Sequence, residues 1–67
     1  MNRSRISARL VELRTKAGLT QAQAVRSMGF RQSTYSMWEH GQRVPRDDNK
    51  AKIAEFFEAS VDDIFYA

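Results

Sequence analysis

The sequence predicts an all-α fold, a compact bundle of five short helices forming one domain over residues 1–67. Apolar residues recur at helical spacing along the chain, and no stretch alternates with the period of two that strands require. Gly18, Gly29, Gly41 and Pro45 stand only between the periodic stretches, as punctuation. Thr20, Asp47 or Asp48, and Ser60 stand where helices begin, and each is a residue type that caps the first amides.

The first helix is expected over about residues 2–17. Ile6, Leu10, Leu13 and Ala17 fall on one narrow face, and Arg5, Arg9, Glu12 and Lys16 lie opposite. Gly18 follows as the residue that ends it. The second helix spans about 21–28, with Thr20 as cap and Gln23 at the third position of a capping box. Gly29 ends it. A third helix, about 32–40, follows after only a few residues and stops at Gly41. Tyr35 and Trp38 share its core face, while Ser33, Ser36, Met37 and His40 point the other way. Gln42 to Arg46 is a loop, because Pro45 disfavours helix before it. A fourth helix is expected over 47–58 with the stripe Ile53, Phe56, Phe57, and a fifth over 61–65, capped by Ser60.

Size and charge narrow the function. A chain of 67 residues and 7.7 kDa buries one modest core and leaves no room for a deep substrate cleft. It has no cysteine, so neither a disulfide nor a thiolate metal site supports it. No apolar run approaches the roughly 20 residues that span a bilayer. No apolar segment follows the basic N-terminus as a secretory signal would require, so no membrane partner and a cytoplasmic location are expected. The 11 Lys and Arg against 8 Asp and Glu hide an asymmetry. Residues 1–46 hold nine basic and two acidic side chains, whereas residues 47–67 hold two basic and six acidic. A basic front of this kind is the electrostatic footprint of nucleic-acid binding.

Catalysis has little support. His40 is the only histidine, which rules out a multi-histidine metal site, and no phosphate-cradling glycine loop is present. Ser33, His40 and Asp47 straddle a helix and a loop, with nothing to exclude water. The pairs Asp47–Asp48 and Asp62–Asp63 stand at helix starts, where they complement the positive dipole end. The expectation is a non-enzyme with no cofactor, no metal and no small-molecule substrate.

The informative arrangement is the second helix, the glycine turn and the third helix with its polar outer face. This is a helix-turn-helix, in which the second of the pair enters a DNA major groove. From Arg9 to Phe65 the chain resembles the lambda-repressor-like, or Cro/Xre-type, helix-turn-helix DNA-binding domains. The matching words are Leu13-Arg14, Ala17-Gly18-Leu19-Thr20-Gln21, Met28-Gly29-Phe30, Trp38-Glu39-His40-Gly41, Pro45, Ile53-Ala54, and Ala59-Ser60-Val61 onward to Ile64. Gly-Leu-Thr-Gln and the closing Glu-x-Gly are the most specific of these.

The resemblance implies residue roles. Arg31, Gln32, Ser33 and Met37 match positions that face base edges. Gln21, Ser36, His40, Gln42, Arg43 and Arg46 match positions that lie along phosphates, with an edge contact also within reach of Ser36. Arg14 and Glu39 match an internal ion pair that ties the first helix to the end of the third. Gln suits adenine, Arg suits guanine, and an apolar tip such as Met37 suits a thymine methyl. Val25 and Tyr35 are bulkier than the residues usual at their positions and predict a shifted third helix. Lys50 stands where a leucine is usually buried and predicts a looser start to the fourth.

The implied function is a sequence-specific regulator of transcription, a repressor of bacterial or phage origin that binds a palindromic operator as a homodimer. The alternative is a protein-interaction module of the same fold, an antitoxin or adaptor with only non-specific DNA affinity. Phe56, Phe57 and Ile64 are assigned to the core, which leaves Phe65 and Tyr66 for the dimer partner.

Overall fold

The computed structural model describes residues 2–67. Five helical segments follow one another: α1 (Arg3–Lys16), α2 (Gln21–Met28), α3 (Gln32–Glu39), α4 (Asp47–Phe56) and α5 (Asp62–Tyr66), the last wound as a wide π-type turn. No strand occurs among the described residues. α1 packs against both α3 and α5, and α2 packs against α3 and α4. Among the described residues no helix is long and apolar enough to cross a membrane.

The helix starts are set by local hydrogen bonds. Asn2 caps α1, its side chain accepting from the Arg5 amide at 3.1 Å. At α2 the capping box is complete. The Thr20 hydroxyl accepts from the Gln23 amide at 3.1 Å, and the Gln23 side-chain oxygen accepts from the Thr20 amide at 2.8 Å. Gly29 then takes φ +80° and turns the chain into α3. That left-handed conformation costs glycine nothing, which is why so short a turn joins the two helices. The Ser60 hydroxyl accepts from the Asp63 amide at 3.0 Å, the bond expected of it, although Val61 holds the cap position of α5.

The fourth helix departs from expectation at both ends. Neither Asp47 nor Asp48 caps it; Arg46 holds the cap position without a side-chain bond, and both aspartates lie in the first turn. There they meet the positive dipole end instead. The helix stops at Phe56, not Glu58. Glu58 adopts φ +54°, and the chain turns back through two bonds, Glu58 N–H to Glu55 O at 3.2 Å and Ala59 N–H to Ala54 O at 3.0 Å. This is a Schellman ending with a glutamate in the place that glycine usually takes.

The core gathers Ile6 and Leu10 from α1, Ala24, Val25 and Met28 from α2, and Tyr35 and Trp38 from α3. Ile53 and Ala54 from α4 and Ile64 and Phe65 from α5 complete it. The Trp38 ring receives Phe30 edge-on at 5.0 Å and Tyr35 at 5.9 Å. The bulky Val25 and Tyr35 are both admitted to this core. The assignment of the late aromatics is corrected. Phe65 is 3% exposed and belongs to the core, whereas Phe56 and Phe57 are only partly buried. Because α5 is wound wide and folds back on α1, its Phe65 reaches inward.

Lys50 also departs from expectation. It is 4% exposed, and its ammonium donates to the Tyr66 hydroxyl at 2.8 Å and to an Asp47 carboxylate oxygen at 3.4 Å. The ammonium lies 4.9 Å from the Tyr66 ring centroid and 5.8 Å from that of Phe65. A buried ammonium is tolerated only with such partners. The start of α4 is thereby tied to the C-terminus rather than loosened.

Candidate nucleic-acid interface

The recognition surface begins with the way α3 is held. Glu39, in its last turn, is buried and receives the Arg14 guanidinium in a two-pronged pair: Nε to Oε2 at 2.7 Å and Nη2 to Oε1 at 3.0 Å. The third guanidinium arm, Nη1, donates to the Leu19 carbonyl at 2.8 Å. One side chain thus fastens α1, the turn before α2 and the end of α3; the resemblance implied the tie between α1 and α3 but not the bond to the turn. Burial alone would raise the Glu39 pKa, but hydrogen bonds from Arg14 and then Gln21 outweigh it and hold the carboxyl below its ordinary value. The Arg14 guanidinium is pushed the other way, chiefly by its hydrogen bond to Glu39.

Gln21 belongs to the same network. Its Nε2 donates to Glu39 Oε1 at 3.0 Å. One of its two amide hydrogens is therefore spent inside the protein. No local spacing signals this attachment, because Gln21 and Glu39 lie 18 residues apart. Tyr35 sits beneath the network, fully buried, with its hydroxyl close to the Glu39 carboxylate but outside hydrogen-bonding geometry. Burial raises its pKa above the ordinary tyrosine value.

The expected site residues lie at the start of α2, on α3 and its two caps, and in the loop that follows α3. Arg31 occupies the N-cap position of α3 and is exposed, as are Gln32 and Ser33 in the first turn. Met37 follows Ser33 by one turn and is partly buried. Gln42, Arg43 and Arg46 are exposed in the loop to α4. Arg31, Arg43 and Arg46 form no ion pair among the described residues. Ser36 and His40 are coupled: the His40 Nδ1 lies 2.7 Å from the Ser36 carbonyl and 3.2 Å from its hydroxyl. A carbonyl only accepts, so Nδ1 carries the proton in the neutral ring and Nε2 is the free nitrogen.

Reading the sequence alone missed several participants. A concavity of about 290 Å³ lies between α3 and the following loop. Met37, Arg43 and Arg46 line it together with Thr34 and Asn49, neither of which was expected. Asn49 lies in the first turn of α4, just past the arginine loop, and that placement is the signal that could have found it. Arg3 was missed as well; its guanidinium donates to the Gln42 carbonyl at 3.4 Å and steadies the loop from α1. Of the two residues expected at a dimer interface, Phe65 is buried and unavailable, and exposed Tyr66 has its hydroxyl bound to Lys50.

A short capped helix, a glycine turn and a second helix with an exposed polar first turn are now in place. The helix-turn-helix family model matches residues 10–64. The chain belongs to the Cro/C1-type helix-turn-helix family of DNA-binding domains. A curated relative is the cryptic phage CTXphi transcriptional repressor RstR of Vibrio cholerae serotype O1, 33% identical over 60 residues. That match covers 90% of this chain and 54% of the relative, so the chain spans about half the length of the repressor it resembles. No solved structure matches the chain significantly.

Proposed function

We propose that this helix-turn-helix domain is a sequence-specific regulator of transcription, a repressor that occupies a palindromic operator as a dimer with α3 in the major groove. The observation that carries the reading is the first turn of α3. It exposes Gln32 and Ser33, with Arg31 before it and Arg43 and Arg46 in the loop after α3; the three arginines are exposed and in no ion pair among the described residues. Polar tips that read base edges next to cations that neutralise phosphates are the two halves of DNA recognition. Gln21, Ser36, His40 and Gln42 extend the phosphate-facing border, and Met37 supplies an apolar contact. The resemblance to a phage repressor supports the same reading and a bacterial or phage setting, hence a cytoplasmic site of action.

Selection of bound duplexes from a random pool at about 150 mM salt tests it, since that ionic strength screens purely electrostatic attachment. The expected outcome is enrichment of a palindrome with half-sites about 34 Å apart, one helical turn. In Gln32→Ala the preference at one base pair per half-site relaxes by about 1–3 kcal/mol. Binding that disappears with salt and enriches no sequence would favour a protein partner instead.

A further inference from the structure

The start of α4 is not held by a cap. Arg46 occupies the N-cap position without a side-chain bond. In the first turn Asp47 and Asp48 are exposed, Asn49 is half-buried, and only Lys50 is buried. The Lys50 side chain reaches α5 instead of solvent. Its ammonium donates to the Tyr66 hydroxyl at 2.8 Å and lies near the Tyr66 and Phe65 rings. Its bond to Asp47 is longer, 3.4 Å, and that side chain is 94% exposed, so water weakens the pair. The Tyr66 bond is also the chief reason that the Lys50 pKa lies above the ordinary lysine value. The turn held in this way carries part of the candidate interface. The Lys50 amide donates to the Arg46 carbonyl at 2.8 Å, and Arg46 and Asn49 line the concavity shared with Thr34, Met37 and Arg43.

We propose that Lys50 and Tyr66 are positioning residues for DNA binding: their clasp fixes the first turn of α4, and with it the phosphate contact of Arg46. This rests on the DNA reading above. Neither residue touches DNA on this view; both act through Arg46. A buried ammonium that loses its hydroxyl partner turns toward water, which detaches the first turn of α4 from α5. A guanidinium–phosphate contact depends on distance and angle, so a turn left loose holds the phosphate less well. The C-terminal helix thereby bears on the nucleic-acid edge without lying on it.

A double-mutant cycle tests it. Tyr66→Phe removes the hydroxyl and keeps the ring, and Tyr66→Ala removes both; each is paired with Arg46→Ala. Affinity for a random-sequence duplex at low salt is read by anisotropy, where circular dichroism shows each variant folded. Tyr66→Phe is expected to raise the dissociation constant about fivefold, within the range of couplings in one network, and Tyr66→Ala at least as much. Each is expected to flatten the slope of log affinity against log salt by up to about one unit. In the Arg46→Ala background neither should change affinity more than about twofold. Loss of stability or of self-association alone would weaken binding in both backgrounds. Without DNA, the Lys50 amide is expected to exchange with solvent about tenfold faster in Tyr66→Phe, while the Gln23 amide keeps its rate. A wild type that binds no duplex would sink the DNA reading and this proposal together. If the wild type binds and Arg46→Ala weakens it, a Tyr66→Ala affinity equal to wild type, an equal loss in both backgrounds, or an unchanged Lys50 amide would overturn the clasp alone.

Discussion

At the scale of single residues, the Arg14–Glu39 pair decides most. Both prongs are made, and the Glu39 side chain is 3% exposed. Removing one partner strands a buried charge, which costs about 3–5 kcal/mol. A chain of this length has roughly 3–10 kcal/mol in total. Arg14→Ala is therefore expected to be largely unfolded at 37 °C, as circular dichroism would report. The pH dependence follows from the direction of the Glu39 shift. A carboxyl held lower in the folded state than in the unfolded state, where glutamate titrates near about 4.3, stabilises fully above that value. The contribution is lost as pH falls through the folded value. Urea midpoints measured from pH 7 down to pH 3 should fall steeply for the wild type and less steeply for Glu39→Gln. Tyr35 illustrates the opposite case. Its buried hydroxyl lies near Glu39 without reaching hydrogen-bonding geometry, and a buried hydroxyl left unsatisfied costs about 1–3 kcal/mol. Tyr35→Phe should keep the urea midpoint or raise it; a drop would reveal a partner for that oxygen.

At the scale of elements, the capping box of α2, the Gly29 turn and the Ser60 bond were legible in the sequence because they are local, whereas the cap of α4 was not. Thr20 with Gln23, Gly29 and Ser60 each act through groups within a few residues, so residue type and spacing suffice. The end of α4 was not legible. Glu58 resembles a good helix former, yet it takes the left-handed conformation, which costs a residue with a Cβ about 1–2 kcal/mol. Packing outweighs that preference, since the turn folds α5 back so that Ile64 and Phe65 enter the core. Glu58→Gly should relieve the strain and stabilise the fold by about 1 kcal/mol, less the entropy glycine adds to the unfolded chain. Urea unfolding at low protein concentration checks this, where self-association contributes little.

At the scale of the whole molecule, the uneven charge along the chain is only partly kept in space, since Arg5 and Arg9 of α1 line one concavity together with Asp63 of α5. Arg31, Arg43 and Arg46 form no ion pair among the described residues, while Asp62 and Asp63 lie exposed in α5, which packs on α1. Such a distribution orients the domain on a polyanion by one face. Arg43 is one of those free cations and reads no base on this view. Arg43→Ala should weaken binding to all duplexes about equally and flatten the slope of log affinity against log salt by about one unit. Anisotropy titrations at several salt concentrations measure it; a loss confined to one sequence would make Arg43 a base-reading residue.

The sequence by itself determined the fold class, the capping box of α2, the glycine turn of the helix-turn-helix and the Arg14–Glu39 pair. The first three depend on short-range spacing, and the pair follows the family's pattern of residues. The division of the aromatics between core and surface came only from the tertiary structure, as did the burial of Lys50 against Tyr66 and the attachment of Gln21 to Glu39. Those outcomes rest on how distant segments meet. Phe56, Phe57, Phe65 and Tyr66 are all apolar enough to be buried, and a small core admits only some of them. The path of the chain through Glu58 selects Phe65 for the interior, which leaves Phe56 and Phe57 at the surface.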